Sequence, residues 1–148
     1  MATETQKERA GNGVNQKEQL SVCVLDDEAA MTELMREHVE RLGYGCVATT
    51  EPEEALEQVR CGRCRVVLSD VRMPGMNGLE FLEKALEADP GVHVILVTGH
   101  YSLEAAIEAI KRGAYDYLTK PVERVRLKKT LDELAALYHQ RRRIRELE

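Results

Sequence analysis

Short apolar runs alternate along this chain with longer stretches whose apolar residues recur at helical spacing. Ser21–Leu25 is the first run and reads as a buried strand. Met31, Leu34, Met35, His38, Val39 and Leu42 then recur three and four residues apart, a helix that Gly43 stops. Gly45–Thr49 predicts a second strand, and Glu51-Pro52-Glu53-Glu54 opens a second helix that runs to about Cys61. Proline suits a first helical turn because its missing amide hydrogen would be unpaired there anyway, and the acids suit the positive end of the helix dipole. Val66–Ser69 predicts strand three. Met73 to Gly78 is dense in turn formers, and Leu79, Phe81, Leu82, Ala85 and Leu86 supply a third helix ended by Asp89-Pro90-Gly91. Val92–Val97 predicts strand four. Ser102 caps a fourth helix whose apolar face is Leu103, Ala106, Ile107 and Ile110, with Gly113 as terminator. Tyr115–Thr119 predicts strand five, and a last helix starts near Glu123.

Repeated β-α units with right-handed crossovers predict an α/β fold, a doubly wound parallel sheet of five strands in the order 2-1-3-4-5 flanked by five helices. Residues 1–20 are polar and aperiodic and read as a disordered leader; 21–138 form the domain, and 139–148 extend the last helix as a linker-like tail. Leu127, Leu131, Leu134 and Tyr138 form a stripe on that helix, and Leu137, Ile144 and Leu147 carry an apolar edge further than one α/β unit needs.

Composition narrows the class. The 148 residues suffice for one domain and not for two. The apolar runs fall far short of the roughly 20 residues a membrane helix needs, and the first residues lack a signal-peptide core, so a cytoplasmic location is expected. A net charge of −5 argues against direct nucleic-acid binding by this segment. Arg141, Arg142, Arg143 and Arg145 cluster only in the tail, where a solvated helix end is the simpler reading. Cys61-Gly62-Arg63-Cys64 follows a helix and precedes a strand, the reverse of a redox C-x-x-C; Cys23 and Cys46 lie in apolar strands and read as packing residues rather than zinc ligands.

The chemistry lies at the ends of the strands. Asp26 and Asp27 follow strand one, Asp70 follows strand three, Thr98 closes strand four and Lys120 follows strand five. In the expected order these side chains meet at the carboxyl edge, where open α/β sheets bind ligands. Crowded carboxylates repel one another, and a hard divalent cation, Mg²⁺ or Mn²⁺, would resolve the conflict. One carboxylate would be free to attack phosphorus, while Lys120 and the Thr98 hydroxyl take phosphoryl oxygens.

Val24-Leu25-Asp26-Asp27-Glu28, Leu68-Ser69-Asp70-Val71-Arg72-Met73-Pro74-Gly75-Met76-Asn77-Gly78, Val97-Thr98-Gly99-His100 and Tyr117-Leu118-Thr119-Lys120-Pro121 resemble, in order, the motifs of bacterial response-regulator receiver domains of the flavodoxin/CheY-like fold. The resemblance implies that Asp70 accepts a phosphoryl group from a sensor histidine kinase or phosphotransfer protein. It implies that Asp27 binds Mg²⁺ directly, that Asp26 acts largely through water, and that the Arg72 carbonyl completes the metal ligands around Asp70. It implies a switch made of Thr98, Lys120 and Tyr117, and a cis bond before Pro121. Such a domain is not an enzyme beyond promoting its own phosphorylation and dephosphorylation. Thr98-Gly99-His100 with Ala114 to Pro121 is most similar to receivers of NtrC-type enhancer-binding activators. The long last helix points to a homodimer through helix four, strand five and helix five.

Other classes stay open at this point. A flavin carrier would need a hydroxyl- and glycine-rich loop where Asp26-Asp27-Glu28 stands, and a haloacid-dehalogenase phosphatase would need an acid where Arg72 stands. A stand-alone receiver or scaffold module, acting by protein contact without a DNA-binding output, remains the alternative within the family.

Overall fold

The computed structural model describes residues 20–147, with side chains omitted at 142, 143 and 145–147. The leader at 1–19 therefore lies outside the described residues, as do the side chains of Arg142, Arg143, Arg145 and Leu147 in the tail.

Strands β1 (Ser21–Leu25), β2 (Gly45–Thr49), β3 (Val66–Asp70), β4 (His93–Thr98) and β5 (Asp116–Thr119) form one parallel sheet in the order β2-β1-β3-β4-β5. Helices α1 (Ala29–Arg41), α2 (Pro52–Arg60), α3 (Gly78–Ala88), α4 (Leu103–Lys111) and α5 (Arg124–Leu147) make the crossovers and the final layer. The expected topology is the observed one. Strand boundaries move by a residue: Asp70 and Thr98 are the last residues of β3 and β4, and β5 starts after Tyr115.

Alternation along the strands divides the interior into two cores. Cys23, Leu25, Val67, Val94 and Leu96 point to the side where Ala55, Leu56 and Val59 of α2, Phe81, Leu82 and Ala85 of α3, and Ala109 of α4 pack. Val22, Val24, Val66, Leu68 and Ile95 point to the other side, against Val39 of α1 and Leu127, Leu131 and Leu134 of α5. With helices on both faces, the central strands are apolar throughout, which is why they read as continuous runs rather than as alternating ones.

Three details correct the sequence reading. Leu20, counted with the leader, is 1% exposed and belongs to the second core. The assigned apolar face of α1 is only partly inside, since Leu34 is exposed while Thr32, whose hydroxyl is satisfied by the Ala29 carbonyl at 2.6 Å, is buried. In α4 only one member of the assigned face, Ala106, packs inward, joined by Ala109, while Leu103, Ile107 and Ile110 are exposed. Helical spacing shows that an apolar face exists. It does not say which neighbour covers it, and small side chains let this helix approach the sheet while the larger ones stay outside.

Local signals explain the element ends. Asn77 caps α3 by accepting from the Glu80 amide at 2.9 Å, and Ser102 caps α4 by accepting from the Ala105 amide at 3.1 Å. Gly113, at φ +108°, ends the turn after α4 in a conformation costly to residues with a side chain. The Lys120–Pro121 bond is cis. No helix among the described residues is long and apolar enough to cross a membrane.

Candidate functional site

The carboxyl edge gathers the expected residues. Asp26, just past β1, is buried, and its Oδ1 accepts from the Glu28 amide at 2.9 Å. Asp27, its neighbour, is exposed. Asp70, at the end of β3, is buried, and its Oδ1 accepts from the Arg72 amide at a long 3.4 Å. Each of the three acids has an oxygen within 4.8 Å of one on the other two, an arrangement able to hold a metal ion. Lys120 reaches in from the residue after β5, with Nζ 2.9 Å from Asp26 Oδ2 and 3.3 Å from Asp70 Oδ2.

Charge is unevenly balanced here, because one ammonium serves two buried carboxylates. Burial pushes the Asp70 carboxyl above its ordinary range; Lys120 pulls it back, and the nearby Asp26 pushes it up again. Burial works against the Lys120 ammonium, but its bonds to Asp26 and the two negative charges outweigh that and hold its pKa above the usual lysine value. The lysine is therefore a fixed cation, and Asp70 is a buried acid with incomplete hydrogen bonding.

The loop after β3 is held tightly to this site. The Gly78 amide donates to the Val71 carbonyl at 2.8 Å, and a Cβ on Gly78 would lie 2.5 Å from the Asp70 carbonyl oxygen and 2.8 Å from the Val71 Cα. A residue larger than glycine would push the backbone that carries Asp70. Sequence reasoning placed Gly78 among turn formers and missed this contact; its only signal was the glycine at the start of a helix, where it is otherwise unfavourable.

Thr98 is buried, and its hydroxyl is engaged locally, accepting from the His100 amide at 3.1 Å and donating to the His100 carbonyl at 3.3 Å. The strand ends are tied together by the Lys120 amide, which donates to the Thr98 carbonyl at 2.7 Å. Tyr117 is 8% exposed and lies against Tyr101, with ring centroids 5.8 Å apart. Arg72 is exposed, and only its amide is engaged with Asp70. A groove of about 600 Å³ lies away from the acids, between α4 and α5, and is lined by Tyr101, Ile110, Tyr117 and Arg126 among others.

The two thiols of Cys61-Gly62-Arg63-Cys64 sit in different surroundings. All cysteines are free thiols; Cys61 is exposed, while Cys64 is fully buried beside the Ser21 hydroxyl at 3.7 Å. Cys23 is buried and Cys46 half-buried, on strand positions that face opposite cores.

The comparisons agree with this geometry. Residues 22–132 match the family model described as response regulator receiver domain. The chain belongs to the response regulator receiver family. It is 38% identical over 107 residues to the C4-dicarboxylate transport transcriptional regulatory protein DctD of Rhizobium meliloti, covering 72% of this chain and 23% of that protein. It is 35% identical over 116 residues to the DNA-binding transcriptional regulator NtrC of Escherichia coli K12, covering 78% of this chain and 23% of that one. The chain thus spans about a quarter of the length of these curated relatives. Among solved structures, the beryllofluoride-activated NtrC4 receiver domain dimer superposes with a TM-score of 0.73 at 33% identity, over 80% of this chain and 98% of that one. A receiver domain protein from Clostridium thermocellum superposes with a TM-score of 0.76 at 28% identity, over 82% of this chain and 98% of that one. Receivers of this family are signalling partners of histidine kinases or phosphotransfer proteins within two-component systems, and the relatives are transcriptional regulators.

Proposed function

We propose that this receiver accepts a phosphoryl group on Asp70 in a Mg²⁺-dependent reaction and passes the signal on through Thr98, Lys120 and Tyr117. The observation that supports this most directly is the placement of Lys120 Nζ between two buried carboxylates that lie beside a third, exposed one. Asp70 is the acid whose carboxylate combines burial, loose hydrogen bonding and an adjacent cation, so it is the nucleophile. A cation of the Mg²⁺ or Mn²⁺ type fits an all-oxygen donor set; Asp27, Asp26, Asp70 and the Arg72 carbonyl would hold it, and it would supply neutralisation of phosphoryl charge. Asp26 and Asp27 orient that site, Lys120 fixes a positive charge at one phosphoryl oxygen, and the Thr98 hydroxyl is the donor for another.

The output is a change in association. The outward apolar face of α4 and the length of α5 support a homodimer built on α4, β5 and α5, and the NtrC4 receiver is a dimer in its beryllofluoride-activated form. Control of a transcriptional output, a cytoplasmic location and a donor kinase or phosphotransfer protein follow from the same reading. The test is intact-mass measurement after acetyl phosphate with Mg²⁺. One phosphoryl group is expected on the native chain, labile to hydroxylamine, and none on Asp70→Asn. Persistence of the label in Asp70→Asn sinks the assignment.

A further inference from the structure

The Thr98 hydroxyl carries one proton, and it is turned to its own loop: the hydroxyl donates to the His100 carbonyl at a long 3.3 Å while accepting from the His100 amide at 3.1 Å. If Thr98 is to donate to an oxygen on Asp70, it must give up that carbonyl. The next residue along is Tyr101, whose ring is 53% exposed yet lies on the buried Tyr117, tilted by 60° with centroids 5.8 Å apart. Hydrogen bonds to the Tyr101 phenol are absent among the described residues, so the turn before it and the ring contact are what place it. A Cβ on Gly99, inside that turn, would have no neighbour within 4 Å, so nothing packs on that side of the turn.

Resting on the phosphoacceptor reading above, we infer that Thr98, the His100 backbone and Tyr101 form a latch: Tyr101 is the positioning residue that covers Tyr117 while the Thr98 hydroxyl is bound to His100, and it leaves when that hydroxyl turns to Asp70. No covalent step is involved; the hydroxyl exchanges one acceptor for another. Tyr101 also walls the groove that holds Ile110 and Arg126, so its departure changes the surface between α4 and α5. The residue that carries the signal outward is then one that touches neither the phosphoryl group nor the metal.

The test is ¹⁹F NMR of the full chain labelled with 3-fluorotyrosine. Its five tyrosines allow the Tyr101 and Tyr117 signals to be assigned by Tyr101→Phe and Tyr117→Phe. Beryllofluoride with Mg²⁺ supplies both the stimulus and its own bound-fluoride signal. In the native chain, both tyrosine signals should move when the bound-fluoride signal appears. Thr98→Val should move them without beryllofluoride, and Thr98→Ser, which keeps the hydroxyl, should restore the native positions. Tyr101→Ala should raise the relaxation of the Tyr117 signal by a soluble gadolinium chelate severalfold, whereas Tyr101→Phe should not; this arm stands even if Thr98→Val fails to fold. A bound-fluoride signal with unmoved tyrosines overturns the latch alone. Native positions in a folded Thr98→Val, or unchanged Tyr117 relaxation in Tyr101→Ala, also overturn it. If no bound-fluoride signal forms, the phosphoacceptor reading fails and the latch falls with it.

Discussion

The two edges of the sheet treat charge in opposite ways. At the amino edge, Arg65 meets Asp89 one to one at 2.8 Å, the other Asp89 oxygen accepts from the Gly91 amide at 2.9 Å, and the guanidinium lies over the Tyr138 ring, 5.9 Å from its centroid. At the carboxyl edge, Lys120 is shared between Asp26 and Asp70, with Asp27 alongside. One cation to one carboxylate at this end ties the residue before β3 to the turn before β4, with the guanidinium reaching α5, although Arg65 Nε is buried without a hydrogen-bond partner among the described residues. On the proposed reading, surplus negative charge at the other end serves phosphoryl transfer, a trade of stability for activity. A buried polar cluster does not declare its purpose by being buried; the imbalance of its charges does.

That contrast can be broken most sharply at Lys120. Lys120→Ala removes the cation shared by two acids and should slow phosphorylation by acetyl phosphate by about 100-fold or more, in line with losing one fixed donor to a developing charge. Stopped-flow or gel-based rates check it, and a loss under tenfold would mean that the imbalance is not catalytic. Next in size, Gly78→Ala forces the backbone beside Asp70 apart and should cost about 1–3 kcal/mol in urea unfolding. A neutral result there would show that the carboxyl edge is not tightly packed.

Paired substitutions then test the sign of the charge argument. With chelator present, Asp70→Asn relieves the crowded edge and should raise stability by about 1 kcal/mol, whereas Asp89→Ala strips Arg65 of its partner and should lower it by up to about 1 kcal/mol. Thermal melts of the two variants moving in the same direction would remove the distinction between the edges. The smallest effect belongs to His93, at the amino edge, edge-on to Tyr115 with centroids 5.4 Å apart. Burial, then Arg141, hold its pKa below the ordinary histidine value against the opposing pull of Asp89. The unfolded chain therefore takes up this proton first as pH falls, so the stability His93 contributes is complete above about pH 6.5 and is lost as pH drops below it. His93→Gln should flatten that slope. Unfolding curves between pH 7.5 and 5.5 measure it.

Most of the fold was legible because the signals were local. Helical and strand spacing, Gly43 and Gly113 as terminators and Ser102 as a cap each act within a few residues. The site was legible for a related reason: in a parallel sheet every strand delivers its last residues to the same edge, so Asp26, Asp70, Thr98 and Lys120 could be grouped from strand ends alone. What escaped were relations between distant segments. Nothing near Leu103, Ile107 and Ile110 says that they will stay outside while Ala106 of the same face, with Ala109, packs inward. Nothing near Gly78 says how closely the Asp70 carbonyl will approach. Likewise, the Tyr101–Tyr117 contact and the engagement of the Thr98 hydroxyl with His100 depend on how one loop settles.

The ion pair between Lys120 and Asp26 joins positions 94 residues apart, from just past the first strand to just past the last. During synthesis Asp26 and Asp70 leave the ribosome before Lys120 does, and closing so large a loop from Asp26 is entropically costly until β3 and β4 lie between its ends. A nascent chain that lacks Lys120 thus carries Asp70 without its counter-charge. On the phosphoacceptor reading, full competence to receive a signal then arrives only after the last strand has emerged and Lys120 has followed it.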